Sequence, residues 1–219
     1  AGEADVQALK GLLNDAGASY SGQLALTTEL VRDESATKLN SIIDQTIPAG
    51  TELRVDYTDS GSRLGDLLGA VLLTRDGERA AGETDRSTAL QSLREGGFVD
   101  YADRTVKAAD LVLVVTGGEL GKDAGAQGQL VGRLAVAMAN RGRGGVLAGR
   151  DGSALGASAI AAVRGDTSLD NALSTVDDVQ AQIGKITVVL ALGEELQGRS
   201  GAYGTGPGAT AITVGAEAN

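Results

Sequence analysis

Histidine, cysteine and tryptophan are all missing from this 219-residue chain, and Met138 is its single methionine. Imidazole, thiolate and thioether are the groups that hold soft metals, and the first two carry much of the nucleophilic and proton-transfer chemistry near neutral pH. An enzyme built from this sequence would have to work with carboxylates, lysine, tyrosine, hydroxyls or a cofactor. The inventory therefore points to binding or scaffolding, with no catalytic residue, no metal site and no cofactor expected. The missing cysteines leave the compartment open, since a cytosolic chain and an exported chain that needs no disulfide read alike.

Aromatic residues are nearly as scarce, at 2% against an apolar share of 42%. The core must be built from Ala, Val, Leu and Ile, whose small volumes suit helices packed closely on a sheet. The 33 glycines are too many for any single one to signal a motif. A formal charge of −10 repels phosphate backbones, and no basic stripe interleaved with aromatics offsets it, which argues against nucleic-acid binding. No apolar run approaches the roughly 20 residues of a membrane helix, and no signal peptide or series of alternating barrel strands is visible, so the chain reads as a soluble piece.

Periodicity supplies the elements. Asp5 to Ala16, Thr37 to Ile47, Arg63 to Leu73 and Ser87 to Glu95 read as amphipathic helices. Tyr20 to Leu26 reads as a strand. Leu111 to Val115 is a continuous β-branched and leucine run, the pattern of a strand buried on both faces. Gly125 to Asn140 follows as a helix with Leu130, Leu134 and Met138 inward, which makes the lone thioether a core residue. Gly145 to Ala148 and Ala172 to Val176 are short strands flanking a helix from Ala154 to Val163. Ile183 to Leu196, apolar nearly all round, reads as a buried helix. Strands alternating with helices predict an α/β fold, a three-layer Rossmann-like domain with a mainly parallel sheet and helices on both faces. One domain is expected over residues 1–198, with a flexible glycine-rich tail over 199–219. Because the chain starts at a helix rather than a strand, the expectation is that earlier segments have been trimmed away.

Thr116 to Asp123 is the best phosphate-loop candidate, but Gly117 lies one residue too near Gly121, and Asp123 stands where a Mg²⁺-binding hydroxyl belongs. It reads as an ordinary strand-to-helix turn. The cluster of Gly142, Gly144, Gly145 and Gly149 mostly precedes a strand, the wrong order for a dinucleotide fingerprint. Topology offers a better constellation, because open parallel sheets bind ligands beyond the carboxyl ends of their strands. Three strands deliver Thr116 with Gly117, Arg150 with Asp151, and Asp177 with Asp178 to that edge. Together these residues suit a polar ligand or a hard cation. The structural reading stays open beside it: one aspartate caps the following helix and Arg150 pairs with a neighbour.

Several segments together resemble one family. They are Gly17-Ala18-Ser19-Tyr20-Ser21-Gly22-Gln23-Leu24-Ala25-Leu26-Thr27, Val115-Thr116-Gly117, Ser174-Thr175-Val176-Asp177-Asp178, Gly184 to Leu192, and Gly198-Arg199-Ser200-Gly201-Ala202-Tyr203-Gly204 ahead of Gly206-Pro207-Gly208-Ala209. Over nearly the full length the chain resembles the extracytoplasmic domain of the MctB family of mycobacteria and corynebacteria, which includes SteB-like members. The resemblance implies an N-terminal membrane helix and a coiled coil ahead of this domain. It also implies an exported, membrane-anchored protein on the periplasmic side, with the outer membrane as the alternative, and a homodimer. Two functions come with it. One is a cell-division scaffold that meets a SteA-like membrane protein and controls peptidoglycan hydrolases. The other is copper transport or homeostasis in the outer envelope. A third reading, an enzyme or small-ligand receptor, rests on the strand-end residues alone. No catalytic residue carries over from the family.

Overall fold

The computed structural model describes residues 2–75, 81–169 and 172–215, apart from the Lys122 side chain, so residues 216–219 of the expected tail lie outside it. Helix α1 (Glu3–Asp15) leads to the short strand β1 (Ala25–Leu26), then to two 3₁₀ turns and helices α2 (Ala36–Gln45), α3 (Ser60–Leu72) and α4 (Glu83–Glu95). Strand β2 (Val99–Asp100) pairs antiparallel with β1 in a two-stranded sheet of its own. The second half alternates as β3 (Val112–Val115), α5 (Gln127–Ala139), β4 (Gly145–Ala148), α6 (Ala159–Arg164), β5 (Ser174–Val176), α7 (Gln182–Glu195) and β6 (Ala202–Tyr203). The strands β3, β4, β5 and β6 lie in that order, all parallel. The α/β class with a parallel sheet between helices is the fold that periodicity predicts.

Two cores flank this sheet. On one face Leu9 of α1 meets Val146, Val176, Val188 and Leu192, and on the other Ala135, Val136, Ile160 and Val163 cover Leu147. A third core joins α2, α3 and α4 to the outer side of α5, where Leu64, Leu67, Leu68 and Phe98 meet Leu134 and Met138. Met138 is 7% exposed, as its helical spacing with Leu134 predicts.

The contact between α3 and α5 depends on glycine. Gly61, Gly65 and Gly69 recur every four residues along α3 and face Leu130, Leu134 and Met138 of α5, with Arg141 just beyond its end. A Cβ on Gly61 would overlap the Leu130 carbonyl, and one on Gly65 would overlap the Leu134 carbonyl and sit 2.9 Å from Ala137 Cβ. With only hydrogens on that stripe, the two backbones approach closely enough for dispersion to replace the missing aromatic area.

Four expectations change. The strand expected over Tyr20 to Leu26 shrinks to Ala25–Leu26, because its partner β2 offers only two residues. The helix expected from Ala154 begins instead at Ala159, since turns with positive φ at Gly152 and Gly156 occupy the segment before it. The segment after Gly198, read as loop, contributes β6, whose Ala202 and Tyr203 register with Thr175 and Val176. Helix α7 is not buried all round: Ile183, Ile186, Leu190 and Leu196 are 39–45% exposed. Apolar character on all sides could not reveal which side has no neighbour.

Gly65→Ala is expected to cost about 1–3 kcal/mol of unfolding free energy in urea titrations, through overpacking against a carbonyl. Gly11→Ala on α1, where a Cβ would meet nothing within 4 Å, should instead stabilise by about 0.5–1 kcal/mol.

Candidate functional site

The strand ends do bring the six predicted residues to one edge. Thr116 N–H donates to Ala148 O at 2.8 Å and Arg150 N–H to Gly117 O at 3.1 Å, which stitches the first two loops together. Asp151 N–H reaches Gln180 Oε1 at 2.9 Å in the third. The side chains, however, diverge. Arg150 turns to α1, where its Nε lies 2.9 Å from Asp5 Oδ2 as an ion pair without aligned hydrogen-bond geometry. Lys185, a cation in an otherwise apolar stretch, stands 3.6 Å from the other oxygen of Asp5 and donates to Gln180 O at 2.9 Å. The reading that pairs Arg150 with a neighbour is the one the geometry supports.

Asp177 faces the opposite way. It is 3% exposed and takes Arg164 Nη1 on Oδ2 at 2.6 Å, both side chains being buried. The same guanidinium donates from Nε to Thr175 Oγ1 at 2.9 Å, from Nη1 to Pro207 O at 3.0 Å and from Nη2 to Tyr203 O at 2.8 Å. Asp177 in turn accepts from Thr205 N–H at 2.9 Å and from Gly206 N–H at 3.1 Å. Gly204 has φ +125°, and a Cβ there would run into the Asp177 carboxylate. This ion pair fastens the C-terminal segment over β5.

Neither aspartate caps α7, whose N-cap is Ala181 with no side-chain cap, so the capping role expected of them is corrected. Asp178 lies under α7 against Gly184, and its Oδ1 is buried without a hydrogen-bond partner. Burial, and then the charge of Asp177, push its carboxyl above the ordinary range. Ser153, wholly buried beside Gly149, likewise has an Oγ without a partner. A wide depression of about 670 Å³ lies elsewhere, lined by Gly125, Gln129, Ala161 and Asp166 among others, and holds none of the six residues. The Thr116–Asp123 stretch is a connection and not a nucleotide loop: Leu120 N–H is tied to Ser158 Oγ at 2.8 Å, and Gly118 packs against the Asp151 carbonyl.

Asp5, Arg164 and Ser153 were not singled out from sequence. Only Lys185 carried a signal there, as a charge inside an apolar run. For a metal, no group of three or more carboxylates among the described residues stands close enough to hold one, and the only thioether is in the core.

A three-layer α/β domain whose strand-end polar groups are tied to one another is a class of fold and not yet a function. The chain belongs to the MctB family, described as "Copper transport outer membrane protein, MctB", whose pattern covers residues 1–214. The protein called copper transporter MctB in Mycobacterium tuberculosis strain H37Rv is 44% identical over 215 residues, or 96% of this chain and 68% of that relative. Its counterpart in Mycobacterium leprae is 43% identical over 218 residues, covering 96% and 69%.

Asp177→Asn should leave Arg164 buried without a full charge partner and cost about 3–5 kcal/mol, well above the ~1 kcal/mol of a lost cap. Hydrogen exchange should quicken first at Thr205 and Gly206. For Asp178, a folded value above the unfolded one means that its contribution favours folding at low pH and is lost as pH rises through the folded value. Asp178→Asn is therefore expected to raise the melting temperature at pH ~7 and to lose that advantage below pH ~4, where the parent carboxyl is protonated.

Proposed function

We propose that this chain is the α/β domain through which an MctB-family protein takes part in copper handling at the cell envelope, acting by protein contact and not by holding copper itself. Family membership and the names of its relatives support the copper and envelope parts. The observation that carries the mode of action is the donor inventory. Cu(I) needs thiolate or thioether and Cu(II) favours imidazole; the chain has no Cys or His, and its one Met is packed in the core. No described helix is long and apolar enough to cross a membrane, so the described elements supply no helical path for an ion across a bilayer. The chain acts without catalysis in this reading.

The relatives' names favour copper handling over the cell-division scaffold. A SteA-like partner and control of peptidoglycan hydrolases rest on resemblance alone, and no residue described above selects them.

Two measurements test the proposal. Titration of the purified chain with Cu(I) under a competing chelator, and with Cu(II) by calorimetry, should show no stoichiometric site tighter than about 1 µM; such a site would overturn the contact reading. In cells lacking their own copy, the full-length protein should restore copper tolerance, and a full-length protein carrying Gly65→Leu should not. Equal tolerance with the domain unfolded would remove it from copper handling.

A further inference from the structure

Helix α1 is lightly attached. Of its 13 residues only Asp5 and Leu9 are buried, and residues 14–20 behind it are all exposed. Elements with so few buried groups belong to the low-stability end of a fold. Its one buried charge, Asp5, faces two cations from other elements. Arg150 Nε stands 2.9 Å from Oδ2 and Lys185 Nζ 3.6 Å from the second oxygen, yet Oδ2, out of water, has no hydrogen-bond partner.

The cations are not used up by this contact. The Arg150 side chain is 49% exposed, and among the described residues its guanidinium donates no hydrogen bond. A guanidinium offers five N–H groups in a planar fork that matches a carboxylate two at a time. Lys185 spends one donor, on Gln180 O at 2.9 Å. Arg150 follows β4, and Lys185 stands in the first turn of α7 after β5. The two therefore lie beyond the carboxyl ends of the strands, where open parallel sheets take ligands.

We propose that Arg150 and Lys185 form a carboxylate seat, that Asp5 is its resident ligand, and that a carboxylate from outside displaces Asp5 and frees α1. The group already in the seat defines the ligand class. Exchange is charge for charge, so Asp151 and Asp178, the neighbouring carboxylates, weigh alike on either occupant. What an outside carboxylate adds is geometry: it can lie in the plane of the guanidinium and accept two parallel hydrogen bonds, whereas Asp5, fixed on a helix, accepts none from it. What it gives up is the burial of Leu9, which keeps the helix closed until ligand accumulates. This inference does not rest on the copper reading.

NMR of the intact chain with succinate, a dicarboxylate, added to about 50 mM against sodium chloride of equal ionic strength tests the seat. The Arg150 Nε–H resonance should shift to saturation. The amides of Leu9 to Leu13 should exchange about fivefold faster or more, while those of Val146 and Leu147 in β4 keep their rates. Asp5→Asn removes the resident ligand, so succinate should bind it about tenfold tighter than the parent chain. Arg150→Gln should free α1 without succinate and lose the response to it, with the β4 amides still protected. A hexaglutamate peptide at equal carboxylate concentration separates the sources: binding tighter than succinate supports an acidic protein segment as the occupant, and weaker binding supports a small carboxylate. An equal effect of sodium chloride overturns the proposal, because screening alone would then free the helix. So does α1 exchange that ignores succinate, and so does Asp5→Asn binding succinate no tighter than the parent.

Discussion

A charge pair held out of water is costly to bury, and it persists only when further hydrogen bonds occupy its remaining donors and lone pairs. The Arg164–Asp177 pair meets that condition. The guanidinium spends three further hydrogen bonds on Thr175, Tyr203 and Pro207, and the carboxylate takes the backbone of Thr205 and Gly206. The interaction is local chemistry with a topological result. It ties the last helix before β5, the strand itself and the returning C-terminal segment into one body, and adds to the two-residue ladder and the bridge to Ala211 that hold β6. The carboxylate that sequence places at a candidate ligand edge is therefore already occupied by the protein.

The same economy explains how a 22.0 kDa chain with almost no aromatic residues holds three cores together. Side-chain volume is replaced by closeness of backbones. The Gly61–Gly65–Gly69 stripe does this between α3 and α5, and Gly128 and Gly132 do it between α5 and α6, where a Cβ would overlap the Ala157 carbonyl or press on Val163 at 2.9 Å. Helix α5 is thus gripped on two sides by glycine contacts, which fixes its position over β4, with Met138 packed in the core. Buried carboxylates elsewhere follow the same rule of internal use. Asp66, wholly buried, accepts from Arg141 and from the Arg54 backbone, and Glu195 accepts both donors of Ser174. Tyr203 is pushed up to about 12 by burial and by its hydrogen bond to Glu194, so its phenol is no proton carrier at neutral pH.

Asp66, Asp177, Glu195, Arg164 and the thioether are thus all committed inside the fold. The family description ties the chain by name to copper transport, and contact and positioning is the mode proposed above. The exposed isoleucines of α7 stand on the other side of this economy from the buried ion pairs: they are apolar groups left in water.

Composition by itself determined that this chain offers no thiolate or imidazole, because side chains that are absent cannot be assembled by any fold. Periodicity determined the helices, the α/β class and the parallel strands, because a 3.6-residue apolar repeat and a β-branched run are local properties. Even Met138 was placed in the core by its spacing with Leu134. What only the tertiary structure decided is which neighbour each surface meets. Arg164 is an unmarked residue at a helix end until Asp177 and the C-terminal segment arrive beside it from 13 and more residues away. Asp177 and Asp178 are adjacent in sequence yet point to different partners, one satisfied and one not. Leu111 to Val115 reads as a strand buried on both faces, yet β3 stands at the end of the strand order and is only half-buried, and that is a fact about the sheet rather than about the five residues.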